Sequence, residues 1–170
     1  PERACRAGIP HVTVGALLGL ADWRAEVFCA ALHAHYLQSV YPGTDIGLSV
    51  PRVRPATGAR MTVSPVGDRD LAHSIAAIRI FLPRAAITLS TRERSVLRDG
   101  LIPLGVTNMS ASSRTSVGGH TCAPDTSAAA EQFEIADSRE LEDVIAMLTA
   151  RRYQPVLKDW VGYMSEDCHG

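Results

Sequence analysis

Alternation constrains this chain more than any single residue does. Four times, a short apolar run breaks at turn-forming residues and gives way to a segment of helical period. The run at 11–19 closes on Gly19; Asp22 is placed to cap a helix over 23–41, which Pro42 and Gly43 stop. A second strand is expected over 45–55, followed by a loop at 56–67 rich in turn formers. Asp68 is placed to cap a helix that repeats Leu71, Ile75, Ile78 and Leu82 on one stripe and ends at Pro83. The third strand, 87–93, leads into a short helix near 93–101, and a fourth covers 106–114. A Gly/Ser/Pro-rich loop follows at 116–128. Asp137 with Glu140 then reads as a capping box for a last helix with Leu141, Val144, Ile145 and Leu148 inward. A final extended segment is expected at 156–160.

Strand–helix repeats of this kind imply parallel strands joined by right-handed crossovers, an α/β class. A complete eight-unit barrel takes about 250 residues, so four units amount to about half of one. An open doubly wound sheet competes with that reading. The helix starts lack the G-x-G-x-x-G pattern of dinucleotide binding, which weighs against it. The barrel reading also requires polar groups at the C-terminal strand ends. The sequence places Gly15, then Ser49 with Arg52 and Arg54, Ser90 with Arg92 and Glu93, and Asn108 with Ser110 and Arg114 at those ends.

Composition narrows the function classes. A net charge of -1 makes no electrostatic case for nucleic acid or an anionic membrane. Apolar runs such as 14–20 are far too short for a spanning helix. The four cysteines, Cys5, Cys29, Cys122 and Cys168, are scattered without a C-x-x-C pair, so free thiols are expected and no metal site in this chain. His33 and His35 fall on different faces of one helix, and His73 and His120 lack partners at metal-ligand spacing. Asp159 and Trp160 read as a cap and an anchor beneath the barrel. The chain opens on Pro in mid-pattern, with no secretory leader, and is expected to be a fragment or processed piece.

The third strand, Ile87-Thr-Leu-Ser-Thr-Arg-Glu93, offers the best ligand site. Period-two alternation puts Ile87, Leu89 and Thr91 on one side and Thr88, Ser90 and Arg92 on the other. Arg92 can grip a carboxylate bidentately while Ser90 adds a hydroxyl. Equally, it can pair with a structural acid, Glu93 or one from a loop. Ser49 and Pro51 share a face of the second strand; Pro51 either frees a backbone carbonyl for a ligand or ends the strand. Gly15 and Gly19 either let a flat ligand approach the backbone or ease a strand-to-helix turn.

Several strings, in order, carry a resemblance: Gly15-Ala-Leu-Leu-Gly-Leu-x-Asp-Trp-Arg24, Ser49-Val-Pro-Arg-Val-Arg-Pro-Ala-Thr-Gly58, Leu89-Ser-Thr-Arg-Glu93, Asn108-Met-Ser-Ala-x-Ser-Arg-Thr115, Glu131-Gln-Phe-Glu134 and Lys158-Asp-Trp160. Together they resemble the C-terminal half of 2-iminoacetate synthase, the radical S-adenosylmethionine tyrosine lyase of thiamine biosynthesis, over residues 9–160. The resemblance implies the fifth to eighth strands of a (β/α)8 barrel within 9–115, with loop, final helix and C-terminal segment in 116–170.

It further implies cleavage of the Cα–Cβ bond of L-tyrosine to 2-iminoacetate (dehydroglycine) and p-cresol, in the cytoplasm. A [4Fe-4S] cluster reduces S-adenosylmethionine to a 5′-deoxyadenosyl radical, which takes hydrogen from the tyrosine amino group. Thiazole synthase is the implied acceptor of the product, and flavodoxin or ferredoxin the implied reductant. By position, Ser90 and Arg92 match the pair that holds the substrate carboxylate. Ser49 and Pro51 match the strand lining the amino-acid backbone and deoxyadenosyl group. Ser110 and Arg114 fall in the eighth strand, and Gly15, Ala16, Leu17 and Leu18 match the glycine-containing strand beside the adenine.

The C-x-x-x-C-x-x-C cluster motif is absent from this sequence, so cluster ligands are expected in a missing N-terminal half and the piece alone is expected to be inactive. The run at 118–127 departs from the family's usual loop. Related readings are the tyrosine lyase of [FeFe]-hydrogenase maturation, which would want a second cysteine cluster near the C-terminus, and tryptophan lyase. A different class of reading is a non-catalytic half-barrel that binds another chain through its two open strand edges.

Overall fold

The computed structural model describes residues 1–54, 64–113 and 135–157. They fall into two compact units, Pro1–Ser138 and Arg139–Gly170. The first unit opens with a short helix, α1 (Glu2–Arg6), and then follows the expected alternation. Its strands are β1 (His11–Gly15), β2 (Asp45–Ser49), β3 (Ala86–Leu89) and β4 (Asn108–Met109). Between them run α2 (Trp23–Val40), α3 (Asp68–Phe81) and α4 (Ser95–Leu101), the last continued by a 3-10 turn at Ile102–Leu104. The second unit contains α5 (Leu141–Ala150).

All four strands are parallel and lie in the order β1-β2-β3-β4. A doubly wound sheet reverses its order at a switch point; this one never does. Burial alternates accordingly. Val12, Val14, Ile46, Leu48, Ile87 and Leu89 are buried in one core with Val27, Ala34 and Leu37 of α2 and Leu71, Ile75 and Ile78 of α3. Thr13 and Gly15 are exposed on the other face of the sheet, and Ser49, Thr88 and Ser90 are half-buried there. A parallel sheet is ordinarily covered on both faces. One apolar face under helices and one hydroxyl-bearing face open to solvent is the section of a singly wound barrel, the open face being its lumen. The half-barrel expectation therefore holds and the doubly wound alternative falls.

Local chemistry explains the element ends. Asp22 caps α2 as expected, its carboxylate accepting the Arg24 N–H at 2.9 Å. The α2 stripe Val27, Ala30, Ala31, Ala34 and Leu37 is rich in alanine, which lets the helix approach the strands closely. The stripe of α3 gains Ser74, whose hydroxyl donates to the Asp70 carbonyl four residues back.

Two capping expectations fail. Asp68 is the first residue of α3 and not its cap; Gly67 holds that position, and the Asp70 carboxylate accepts the Gly67 N–H. The N-cap of α5 is Glu140, with no side-chain cap bond, while Asp137 turns elsewhere. Each strand is also shorter than the sequence suggests. In β2 the ladder stops at Ser49, since Pro51 has no N–H to give. Sheet pairing resumes briefly at the isolated bridge between Leu18 and Arg52. Residues 156–157 form no strand, and the loop at 116–128 and residues 158–160 lie outside the described residues.

Candidate functional site

The register of the sheet sets the candidate residues in rows across the open face. Gly15 pairs with Ser49, Ser49 with Thr88, and Thr88 with Asn108. Ser90 lies two residues beyond Thr88 and Ser110 two beyond Asn108, so both extend those rows toward the C-terminal ends. The Ser110 N–H closes the ladder on the Leu89 carbonyl at 3.1 Å. Ser90 Oγ accepts the Arg92 N–H at a long 3.4 Å, turning the chain after β3. Arg92 itself is half-buried. Burial, and next the neighbouring Arg54 guanidinium, pull its pKa below the ordinary arginine value, with Glu93 opposing them.

The alternation of β3 continues past the ladder. Ile87, Leu89, Thr91 and Glu93 are all buried, Glu93 with only 1% of its surface exposed. A carboxylate buried that far must be paired, and two arginines from beyond β2 pair with it. Arg52 Nε donates to Glu93 Oε1 at 2.9 Å and its Nη2 to Oε2. Arg54 Nη2 also donates to Oε2 at 2.9 Å, and Arg54 Nε donates to the Arg92 carbonyl at 2.9 Å. Arg52 Nη1 reaches both the Val66 carbonyl and the Asp68 carboxylate at 2.9 Å. Asp68 takes Arg94 Nη2 at 3.0 Å as well.

The pairing with Glu93 raises the Arg52 pKa despite burial. Burial pushes the Asp68 pKa up, yet Arg52 and then Arg94 hold it below the ordinary value. The acid next to Arg92 in sequence is thus committed to Arg52 and Arg54. A small cavity of about 110 Å³ adjoins this network, lined by Leu18, Gly19, Arg52, Arg54, Ser64 and Val66 among others.

A second ionic contact fastens the neighbouring strand. Arg98 of α4 is wholly buried; its Nη1 donates to Asp137 and its Nη2 to the Ser110 carbonyl. The N–H groups of Ala136 and Asp137 donate to the Thr91 carbonyl at 3.0 and 3.1 Å. Residues 136–137 are therefore tied to the ends of both β3 and β4, which is where the Asp137 carboxylate is used instead of capping α5.

Backbone partners and burial distinguish the residues expected near a ligand. The Pro51 carbonyl is not free for a ligand, because it accepts the Leu18 N–H at 2.8 Å. Leu18 is fully buried and its own carbonyl accepts the Val53 N–H at 2.8 Å, so of the run 15–18 only Gly15, Ala16 and Leu17 retain exposure. Gly15 is required at its position by close packing: a Cβ there would sit 2.5 Å from the Ser49 carbonyl oxygen. Arg114 lies outside the described residues.

The Arg52–Arg54–Glu93 network and the Arg98–Asp137 pair escaped the reading of the sequence. One further step of period two from Thr91 would have flagged Glu93 as a buried acid in need of the P-R-V-R arginines. Asp137 gave no such signal, since its spacing to Glu140 imitates a cap.

The cofactors implied by the resemblance fit unequally. No group of three or more metal-ligating side chains exists among the described residues, where Cys5 is buried and Cys29 exposed, so a cluster has no seat on them. Gly15, exposed and bare of side chain, and the half-buried Ala16 and Leu17 beside it leave room for a flat purine. Among the described residues no helix is long and apolar enough to cross a membrane.

Residues 49–154 match the sequence family described as the Biotin and Thiamin Synthesis associated domain. Over 165 residues the chain is 42% identical to 2-iminoacetate synthase of Escherichia coli and 39% identical to that of Salmonella typhimurium. These alignments take in 96% of this chain but 43% of each relative, so the chain spans less than half the length of the proteins it matches. Among solved structures, the FeFe-hydrogenase maturase HydG from Carboxydothermus hydrogenoformans superposes with a TM-score of 0.78 at 34% identity, covering 98% of this chain and 37% of that one. A second HydG structure, described as a maturase of the [FeFe]-hydrogenase, gives 0.79 at 31% identity, covering 96% and 35%.

Proposed function

The chain belongs to the Biotin and Thiamin Synthesis associated domain family, and on that premise we propose that it is the C-terminal part of a 2-iminoacetate synthase. In this reading the whole protein is a radical S-adenosylmethionine lyase that splits the Cα–Cβ bond of L-tyrosine to give 2-iminoacetate and p-cresol. The observation that carries it is the 42% identity over 96% of the chain. The [4Fe-4S] cluster belongs to the remaining part of the barrel and supplies the reductive cleavage of S-adenosylmethionine.

This half of the barrel binds and orients. Arg92 grips the tyrosine carboxylate and Ser90 adds a hydroxyl contact. Ser49, Pro51, Ser110 and Arg114 border the amino acid, Pro51 through its ring since its carbonyl is used. Gly15, Ala16 and Leu17 carry the adenine. A zwitterion drawn into a lumen must have its carboxylate paired, because a buried unpaired charge is very costly. Arg92, half-buried and two residues beyond the half-buried Ser90, is the cation offered for that need. Thiazole synthase as product acceptor, flavodoxin or ferredoxin as reductant and a cytoplasmic setting complete the reading.

Arg92→Ala in the full-length enzyme tests it. Tyrosine binding should weaken by about 1.5–3 kcal/mol, the worth of a charge-assisted hydrogen bond, while cluster content stays at the wild-type level. Unchanged tyrosine affinity in equilibrium titration would remove the carboxylate-clamp assignment. The superposition on HydG favours a second reading, a tyrosine lyase of hydrogenase maturation. Reconstitution separates the two: a maturase supports assembly of an active [FeFe]-hydrogenase, and a thiamine enzyme supports thiazole formation.

A further inference from the structure

The turn that carries Arg92 is held at three consecutive residues. Residue 92 is held through its carbonyl by Arg54 Nε, residue 93 through its carboxylate by Arg52 and Arg54, and residue 94 through its guanidinium by Asp68. The sheet does not do this work. The β2–β3 ladder ends at the pair Ser49–Thr88, and the β3–β4 ladder at Leu89–Met109. Past Thr91, whose carbonyl is tied to residues 136–137, the long contact of Ser90 with the Arg92 N–H is joined by side chains from beyond β2. Of these, Arg54 touches the backbone directly. With Nε on the Arg92 carbonyl and Nη2 on the Glu93 carboxylate, it chelates two successive residues through two nitrogens in a fixed planar fork, a geometry that a single ammonium nitrogen does not reproduce.

We propose that Arg54 is a positioning residue: by chelating the Arg92 carbonyl and the Glu93 carboxylate, it fixes the Arg92 guanidinium for an amino-acid carboxylate. Glu93 is the acid that makes this chelation tolerable, since it lies between Arg54 and Arg52 and is itself sealed from water. Arg52, anchored by the Val66 carbonyl and Asp68, ties the assembly back to the start of α3. Buried ionic networks of this kind contribute little net stability, but they select one geometry over its neighbours. That is the property a bidentate carboxylate contact needs, because a displacement of about 1 Å can cost a site on the order of 100-fold. The inference rests on the reading that Arg92 binds the substrate carboxylate.

The test is a double-mutant cycle in the full-length enzyme, with Arg54→Lys and Arg92→Ala made singly and together. Equilibrium affinity for tyrosine, kcat, KM and thermal midpoint are measured for each. Arg54→Lys keeps the charge and loses the chelation, and is expected to weaken tyrosine affinity and raise KM by about 10- to 100-fold, leaving kcat at saturation close to wild type. In the Arg92→Ala background the same change is expected to add nothing, because Arg54 acts through Arg92. Full affinity in Arg54→Lys overturns the proposal. So does an Arg54→Lys effect that adds in full to that of Arg92→Ala, which would make Arg54 an independent contact. A lowered thermal midpoint with unchanged KM would make it a structural residue only, and overturns the proposal too. If Arg92→Ala alone leaves affinity unchanged, the carboxylate-clamp reading fails; if Arg92→Ala weakens binding and Arg54→Lys does not, only the positioning role fails.

Discussion

Two ionic clusters sit at the same end of the sheet and differ in their exposure to solvent. The pair on the β4 side is closed to water, with the side chains of Arg98 and Asp137 0% and 1% exposed. On the β3 side, Arg52, Arg54, Arg92 and Arg94 lie around two carboxylates, Glu93 and Asp68, and three of the four arginines are half-buried or exposed. Sealed from water, that pair and the neighbouring carbonyl and N–H bonds fasten residues 110 and 136–137 to the strand ends. On the β3 side the arginines keep contact with solvent, and burial, then the neighbouring Arg54, depress the Arg92 pKa. Buried charge alone is therefore a poor guide to a site in this molecule; ionic groups that keep contact with solvent are the better one.

The largest expected effect falls on the closed pair. Arg98→Met leaves the Asp137 carboxylate buried without its guanidinium and the Ser110 carbonyl without that donor, which should cost about 3–5 kcal/mol in urea unfolding. Replacing both members, as Arg98→Met with Asp137→Leu, should recover most of that loss, since an apolar pair of similar volume is often no less stable than the ion pair. A double variant as unstable as the single one would break the comparison, because it would show that Arg98 and Asp137 do more than cancel each other's charge. Glu93→Gln should cost less, about 1.5–3 kcal/mol, because Arg52 keeps Asp68 and the Val66 carbonyl and Arg54 keeps the Arg92 carbonyl. A loss as large as that of Arg98→Met would mean that the β3 cluster is closed in the same sense.

Much of this architecture is legible in the sequence because it is written in periodicity. The strand–helix alternation, the Asp22 cap, the stripe on α3 and the two faces of 87–93 all depend on neighbours within a few residues, and the folded chain keeps them. What the sequence concealed depends on partners 39 to 41 residues away, such as Arg52 with Glu93 and Arg98 with Asp137. Asp68 and Asp137 look from the sequence like helix caps, worth about 1 kcal/mol each, but neither holds the cap position and each pairs with an arginine instead. At Pro51 the sequence leaves a freed carbonyl and a strand end both open, because nothing nearby in sequence claims that carbonyl; the claimant, Leu18, comes from the loop after β1. The helix α1 was missed because five residues leave no period to detect. It is fixed instead by Glu2, whose carboxylate accepts from Tyr36, Tyr41 and Arg6.

The smallest effect sharpens the comparison at the open edge of the β3 cluster. Asp68 is exposed over about half of its side chain, so solvent screens both of its ion pairs and Asp68→Asn should cost only about 0.2–1 kcal/mol. Its sign with pH is fixed by the direction of its shift. Although burial raises the Asp68 pKa, Arg52 and Arg94 depress it below the unfolded value, so the stabilisation is fully present above that unfolded value of about 3.9. It is then lost as pH falls through the lower, folded value. Wild-type and Asp68→Asn proteins should accordingly differ in urea midpoint near neutral pH and converge in strong acid. High salt should shrink the neutral-pH difference as well, because both pairs are open to screening. A difference that persisted unchanged in acid and in salt would mean that Asp68 acts through its position at the first residue of α3, near the positive end of the helix dipole, rather than through Arg52 and Arg94.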